Sequence, residues 1–285
     1  MMEKIKHIFR IPTVLLVPYS LRRNSRKLEK QAKKNRKAQD PNLFPYEDRY
    51  QRMRKVVTKT LKRLGVKVVV VGEENIPNGG MWITPNHTSN FDGFYLIKAM
   101  SNKVNLTPVA KKELTNSKMT KGYFTTTDGF MLDRSSPRQA LQLLTGAAKF
   151  AKESNRGIVI FPEGTRSLTG ELLEFKSGSF KFAQKFYLPI VPVTITGTLQ
   201  ARKWWSLKER VVTVTIHQPI KGSQHISLPT DIVSKRVRET IEAEINRYES
   251  RLSVEQRTEL EELKKASVAA EERKTARLNK QVYKK

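Results

Sequence analysis

Short β-branched and apolar runs, each stopped by a polar or charged turn and followed by a stretch with helical spacing, recur through the middle of the chain. Residues 66–72, 81–85, 104–110, 129–134, 157–161, 190–195 and 211–216 read as strands. Between them lie helical patterns. Ser136 and Pro137 open one as cap and first-turn proline, with Ala140, Leu143, Leu144, Ala147 and Ala151 on its apolar face. Ser179 to Phe186 reads as another, and Asp231 to Leu252 as a third with its face at Val233, Val237, Ile241, Ile245, Tyr248 and Leu252. This alternation predicts an α/β fold: a single domain with a mixed, mostly parallel-type sheet flanked by helices. A basic helical arm at the N-terminus and a helical C-terminal tail complete the expected chain. The expected divisions are residues 1–55 as a membrane-interface arm, 56–250 as the domain, and 251–285 as a charged helical or disordered tail.

In such folds ligands gather beyond the strand ends. Four charged turns have that position: those of His87, Lys111, Arg134 and Glu163–Arg166. They are read as one site. His87 follows the 81–85 strand, and Asp92 falls in the first turn of the next helix, with Thr88, Ser89 and Asn90 available as caps. A carboxylate bonded to one imidazole nitrogen fixes the tautomer and leaves the other free to take a proton. Chance spacing, with Asp92 merely favouring a helix N-terminus, is the bland alternative. Gly-x-Ser-x-Gly is missing, so the base has no nucleophile of that type beside it and the hydroxyl it activates is the substrate's own. Arg134, Arg166 and the lysines at 111 and 112 suit a phosphate, with ion pairs to Glu163 or Asp133 as the alternative for the arginines.

Charge bounds the partners. The chain has 54 Lys+Arg against 27 Asp+Glu, a formal net charge of +27. Such a surface seeks nucleic acid, anionic headgroups or phosphorylated substrates. With no cysteine, thiolate metal sites and cysteine nucleophiles are excluded, and four scattered histidines give no zinc pattern. No run of about eighteen apolar residues exists to span a bilayer. An apolar patch between Ile8 and Tyr19, followed by nine cations against the single Glu29 between Arg22 and Lys37, suits an anionic membrane interface. An RNA-binding arm is the competing reading of the charge, but the aromatic-interleaved pattern of RNA-recognition modules is absent.

Taken together, the turns are recognisable. Asn86-His87-Thr88-Ser89-Asn90-Phe91-Asp92 resembles the first block of the glycerolipid acyltransferases: His, four residues, Asp. Gly129-Phe130-Met131-Leu132-Asp133-Arg134 resembles their second. Phe161-Pro162-Glu163-Gly164-Thr165-Arg166-Ser167 is similar to the third as found in 1-acylglycerol-3-phosphate acyltransferases, and Leu188-Pro189-Ile190-Val191-Pro192-Val193 resembles the fourth. The resemblance runs from about Leu61 to Ile216 and leaves out the N-terminal arm and the tail.

It implies acyl transfer from a thioester, on coenzyme A or acyl-carrier protein, to the sn-2 hydroxyl of lysophosphatidate, making phosphatidate. Glycerol-3-phosphate or another lysophospholipid is the alternative acceptor. His87 is then the general base and Asp92 its orienter. Glu163, Gly164, Thr165 and Arg166 fall in the acceptor-binding block, with Arg134 near the acceptor phosphate. Lys111, or Lys112 in its place, stabilises the thioester oxyanion or holds phosphate, and Pro192 belongs to a block linked to the acyl donor. No metal and no cofactor beyond the acyl carrier is implied. The expected partners are the two substrates and an anionic membrane surface, with no nucleic acid. The expected location is the cytoplasmic face of the cell membrane, peripheral or monotopic.

Overall fold

The computed structural model describes residues 16–38, 45–201 and 210–282. Most of the apolar patch from Ile8 to Tyr19 lies outside the described residues. Helices α1 (Val17–Ala38) and α2 (Tyr46–Leu64) precede strand β1 (Val66–Val71). There follow β2 (Met81–Pro85), α3 (Asp92–Met100), β3 (Leu106–Lys111), α4 (Lys121–Thr126), β4 (Phe130–Leu132), α5 (Pro137–Ser154) and β5 (Gly157–Val159). The chain continues through α6 (Phe180–Lys185), β6 (Ile190–Thr196), the short α7 (Thr198–Ala201), β7 (Arg210–Ile216), the short α8 (Gly222–His225), α9 (Thr230–Ser250) and α10 (Val254–Val282).

The seven strands form one sheet in the order β1-β7-β6-β2-β5-β3-β4. Five of them, β6, β2, β5, β3 and β4, are parallel. β7 runs antiparallel to β6 and parallel to β1, so these two strands are reversed relative to the rest. The C-terminal ends of β2, β3, β4 and β5 therefore open on one edge, which is where the four charged turns emerge.

Alternate residues of each strand feed opposite faces. Met81, Ile83 and Val159 pack with Tyr50, Met53, Val57, Tyr95 and Leu96 on one side. Trp82, Ile158 and Ile160 pack with Ala147, Ala151, Phe180, Val233 and Val237 on the other. The result is a layered domain, with α2 and α3 against one face, α1 packed outside them on α2 and α4, and α5, α6 and α9 against the other face. Local signals in the sequence set several boundaries. Gly65 closes α2 with φ 64°, and Ser136 accepts a bond from the Gln139 N–H at the start of α5.

Two expectations change. The division at residue 55 falls inside α2, and the basic segment is a layer of the domain rather than an appendage. Val17, Leu21, Ser25, Leu28 and Ala32 of α1 are all buried, a stripe at helical spacing set among the cations. The Ser25 hydroxyl accepts the Gly122 N–H (2.9 Å), and Tyr123 donates to the Leu21 carbonyl (3.2 Å). Counting charge hid that stripe. Pro192 lies inside the interior strand β6. Pairing with β7 runs only from Val193 onward, and the Pro192 carbonyl accepts the His217 N–H (3.1 Å) just past the end of β7. The missing N–H thus falls where no strand needs it. The last segment is the helix α10, held by Leu260, 5% exposed, and by Lys264 against Glu249 of α9 (3.5 Å).

Candidate active site

The site begins where β2 runs out. Pro85 ends the strand, and the buried Asn86 side chain takes over its pairing with β6. Its Nδ2 donates to the Ile195 carbonyl (3.0 Å) and its Oδ1 accepts the Ile195 N–H (2.7 Å). The turn is thus fastened to the sheet one residue before His87. Thr88 adds a second tie, its hydroxyl 2.6 Å from that of Thr198.

Asp92 is the first residue of α3 and is fully buried. Its Oδ2 accepts three N–H groups at 2.8 Å each: His87 Nδ1, Thr88 N and Ser89 N. Its Oδ1 has no hydrogen-bond partner among the described residues. A carboxylate is acceptor-only, so Nδ1 carries the imidazole proton and Nε2 presents a lone pair. The His87 side chain is 23% exposed, stacks on Phe161 (centroids 4.0 Å apart, 27° between planes), and Nε2 makes no hydrogen bond among the described residues. Of the expected capping residues, Ser89 receives the Phe91 N–H (3.2 Å).

The turn after β5 grips His87 by its backbone. The Glu163 Oε1 accepts the His87 N–H (2.6 Å), and the Ser167 N–H donates to the His87 carbonyl (2.8 Å). The Glu163 Oε2 accepts the Leu173 N–H (3.1 Å). Burial pushes the Glu163 carboxyl up to about 7, against the pull of those two N–H bonds. Glu163 was expected against the acceptor; at 4% exposure it is turned inward, with both oxygens occupied by backbone. Thr165 stands exposed at the tip of the turn.

A group of cations lies at the same edge. Arg134 donates to the Gly164 carbonyl. Gly164 has φ +68°, and a Cβ there would meet Arg134 Nη2 at 3.2 Å and the Lys176 stem at 3.3 Å. Glycine is needed both for the left-handed backbone and for the approach of two cationic side chains. Burial holds Lys111 below the usual lysine range, and repulsion from Arg134, Arg166 and Lys176 adds to it, against the attraction of Glu113. Lys112 instead reaches Asp133 (3.4 Å), so Lys111 is the lysine that joins the arginines. Neighbouring residues at a strand end project to opposite faces, which is why one of the pair turns away. Arg166 has no ion pair or hydrogen bond among the described residues, so the alternative of a pair with Glu163 does not occur there.

The expected residues His87, Asp92 and Glu163 are thus in contact, and Lys111, Arg134, Gly164 and Arg166 share one edge with them. Sequence reasoning missed Asn86 as a strand substitute, Ser167 as a clamp, and Lys176 as a further cation. Lys176 lies ten residues past Arg166 and is brought back because its N–H bonds the Pro162 carbonyl (2.9 Å). Only its position in Phe175-Lys176-Ser177, a cation between a buried aromatic and a serine, marked it. Among the described residues no group of three or more His, Asp or Glu is placed to hold a metal ion.

The Acyltransferase family model matches residues 67–196, from β1 through β6. A probable 1-acyl-sn-glycerol-3-phosphate acyltransferase of Mycoplasma pneumoniae is 35% identical over 162 residues, 56% of this chain and 60% of the relative. The 1-acyl-sn-glycerol-3-phosphate acyltransferase of Saccharomyces cerevisiae is 36% identical over 161 residues, 55% of this chain and 52% of the relative. The chain thus spans between about half and three-fifths of the length of these relatives. Among solved structures, the 1-acyl-sn-glycerophosphate acyltransferase PlsC of Thermotoga maritima shares the fold, with a TM-score of 0.67 at 23% identity over 88% of this chain and 99% of that one. Residues 67–196, a little under half of the chain, are thus similar to the Acyltransferase family.

Proposed function

We propose that this protein transfers an acyl chain from an acyl thioester, on coenzyme A or acyl-carrier protein, to the free sn-2 hydroxyl of lysophosphatidate, yielding phosphatidate. The observation that carries this reading is the His87–Asp92 pair, with Nε2 unengaged, on the same sheet edge as Lys111, Arg134 and Arg166. The cations hold the acceptor phosphate. His87 Nε2 takes the hydroxyl proton as the oxygen attacks the thioester carbonyl carbon. The tetrahedral oxyanion then collapses, the C–S bond breaks, and the thiolate leaves with the proton from the imidazolium. Asp92 holds the ring and stabilises its charged form through that cycle. No metal or further cofactor enters these steps.

Both lipid substrate and product live in a membrane, and the surface supports attachment there. With its apolar stripe packed on the domain, α1 turns Arg22, Arg23, Arg26, Lys27, Lys30, Lys33 and Lys34 outward. Leu16 and Tyr19 near its start are 54% and 66% exposed. Cations close to an anionic leaflet contribute about 1 kcal/mol each, and apolar insertion adds to them. No described helix is long and apolar enough to cross a membrane. The reading is therefore peripheral attachment to an anionic, cytoplasmic membrane face. Replacing Lys27, Lys30 and Lys34 by Glu should release the protein from anionic vesicles. Unchanged pelleting of that variant would place the attachment on another surface.

The deciding experiment is an acyl-transfer assay on the purified protein with labelled acyl-CoA, offering lysophosphatidate and glycerol-3-phosphate side by side. Phosphatidate is the expected product, and His87→Ala should lower its formation by about 10² to 10⁴. Transfer to glycerol-3-phosphate alone would replace the proposed acceptor. No transfer to either with coenzyme A or acyl-carrier protein as donor would overturn the reading.

A further inference from the structure

We propose that Glu163 is a positioning residue for the base: it acts through the His87 peptide rather than on the acceptor, and so couples the cation-bearing turn to the imidazole. This rests on the acyl-transfer reading above and assigns a different task to a residue that its sequence block would place against the acceptor.

Four observations support it. Glu163 is 4% exposed, so an acceptor cannot reach it without displacing protein. Both carboxylate oxygens already have backbone donors, His87 N at 2.6 Å and Leu173 N at 3.1 Å. Among the described residues no ion pair joins Glu163 to Arg134, Arg166 or Lys176, and Arg134 donates instead to the Gly164 carbonyl. And the same turn returns to His87 through the Ser167 N–H on its carbonyl (2.8 Å), so the peptide of the base is held at both polar atoms.

The consequence is mechanical. Residues 163–167 bear Arg166 and lie over Arg134 and Lys176 through Gly164. Any settling of that turn around a phosphate is transmitted to His87 through a short, buried bond. Asp92 fixes the imidazole by its ring nitrogen and Glu163 by its main chain, so two carboxylates on different elements define one ring. The bond from the His87 N–H is short and buried, so no water competes for it.

The test uses Glu163→Gln and Glu163→Asp in the full chain. The amide has one acceptor oxygen, so one of the two backbone bonds is lost. The aspartate keeps the charge but withdraws it by about 1.5 Å, one carbon–carbon bond. Both variants should lower kcat at least tenfold while the KM for lysophosphatidate stays within about threefold. In a His87→Ala background, Glu163→Gln should change the residual rate by less than about twofold, because residues acting as a unit are not additive. In ¹⁵N-histidine spectra, the His87 ring resonances should move in Glu163→Gln while those of His217 and His225 stay. A tenfold rise in acceptor KM with kcat kept, multiplicative losses in the double variant, or unmoved His87 resonances in folded protein would each overturn the proposal. Should Glu163→Gln not fold, Glu163→Asp takes all three measurements. Should the wild type not acylate lysophosphatidate, the function reading fails, while the His87 resonances still decide whether Glu163 positions that ring.

Discussion

Replacing Asp92 by Asn removes a charge and puts a buried amide NH₂ in place of one oxygen, and both effects can be worked from the geometry. The amide oxygen can occupy the Oδ2 position and still accept from His87 Nδ1, Thr88 N and Ser89 N, each now at 2.8 Å. The tautomer is then kept. What disappears is the attraction between the carboxylate and the imidazolium that forms as the acceptor proton is taken. For an N···O separation of 2.8 Å the charge centres lie roughly 4 Å apart, worth about 4 kcal/mol at an effective dielectric near 20. The imidazolium is only partly formed in the transition state, so kcat should fall by about 10² to 10³. A second effect is independent. The amide NH₂ takes the place of Oδ1, which is buried and has no partner among the described residues, so a donor is stranded at a cost of about 1–3 kcal/mol. The midpoint of thermal unfolding should drop by several degrees, at about 2–4 °C per kcal/mol for a domain of this size. Initial rates at saturating substrates, taken well below both unfolding midpoints, separate the two effects. A kcat within threefold of wild type, with an unchanged pH profile, would refute the role assigned to the Asp92 charge.

Arg166→Ala should raise the KM for lysophosphatidate by tenfold or more and leave the acyl-donor KM little changed, with Arg166→Lys restoring only part because the bidentate fork is gone; equal effects on both constants would mark a structural role. Burial raises the Glu163 carboxyl from 4.5 to about 7, so the folded protein holds the proton more tightly than the unfolded chain. That contribution is fully present below pH 4.5 and is lost as pH rises to about 7, worth up to about 3 kcal/mol. Denaturant titrations should show wild type losing stability relative to Glu163→Gln across that window and no further difference above it. Gly122→Ala would set a Cβ 1.9 Å from the Ser25 carbonyl oxygen, forcing α1 and α4 apart. The expected cost is about 1–3 kcal/mol, read as faster amide exchange in α1 while α9 stays protected.

What the sequence by itself determined is whatever is local in the chain. Strand and helix periods fixed the α/β class, because side-chain alternation and the 3.6-residue repeat need no knowledge of neighbours. The pairing of His87 with Asp92 was legible for the same reason: five residues across a strand-to-helix turn bring the two side chains together wherever the turn is placed. The chain's blocks also marked Arg134 and Arg166 as cations after strands. Tertiary structure decided which groups far apart in the chain meet. Only the order β6-β2-β5-β3-β4 sets the turn after β5 beside the turn after β2, so only it could show Glu163 bonded to the His87 peptide rather than facing a substrate. Asn86 acts as a strand residue because β6, more than a hundred residues on, lies alongside it. Lys111 rather than Lys112 joins the arginines because the register of β3 against β4 fixes which of two adjacent side chains faces the edge. And α1, which reads as a charged arm when its cations are counted, is part of the domain because small and apolar side chains at three- and four-residue steps found a partner in α4. Charge is counted along the chain, whereas burial depends on what the rest of the chain brings to that face.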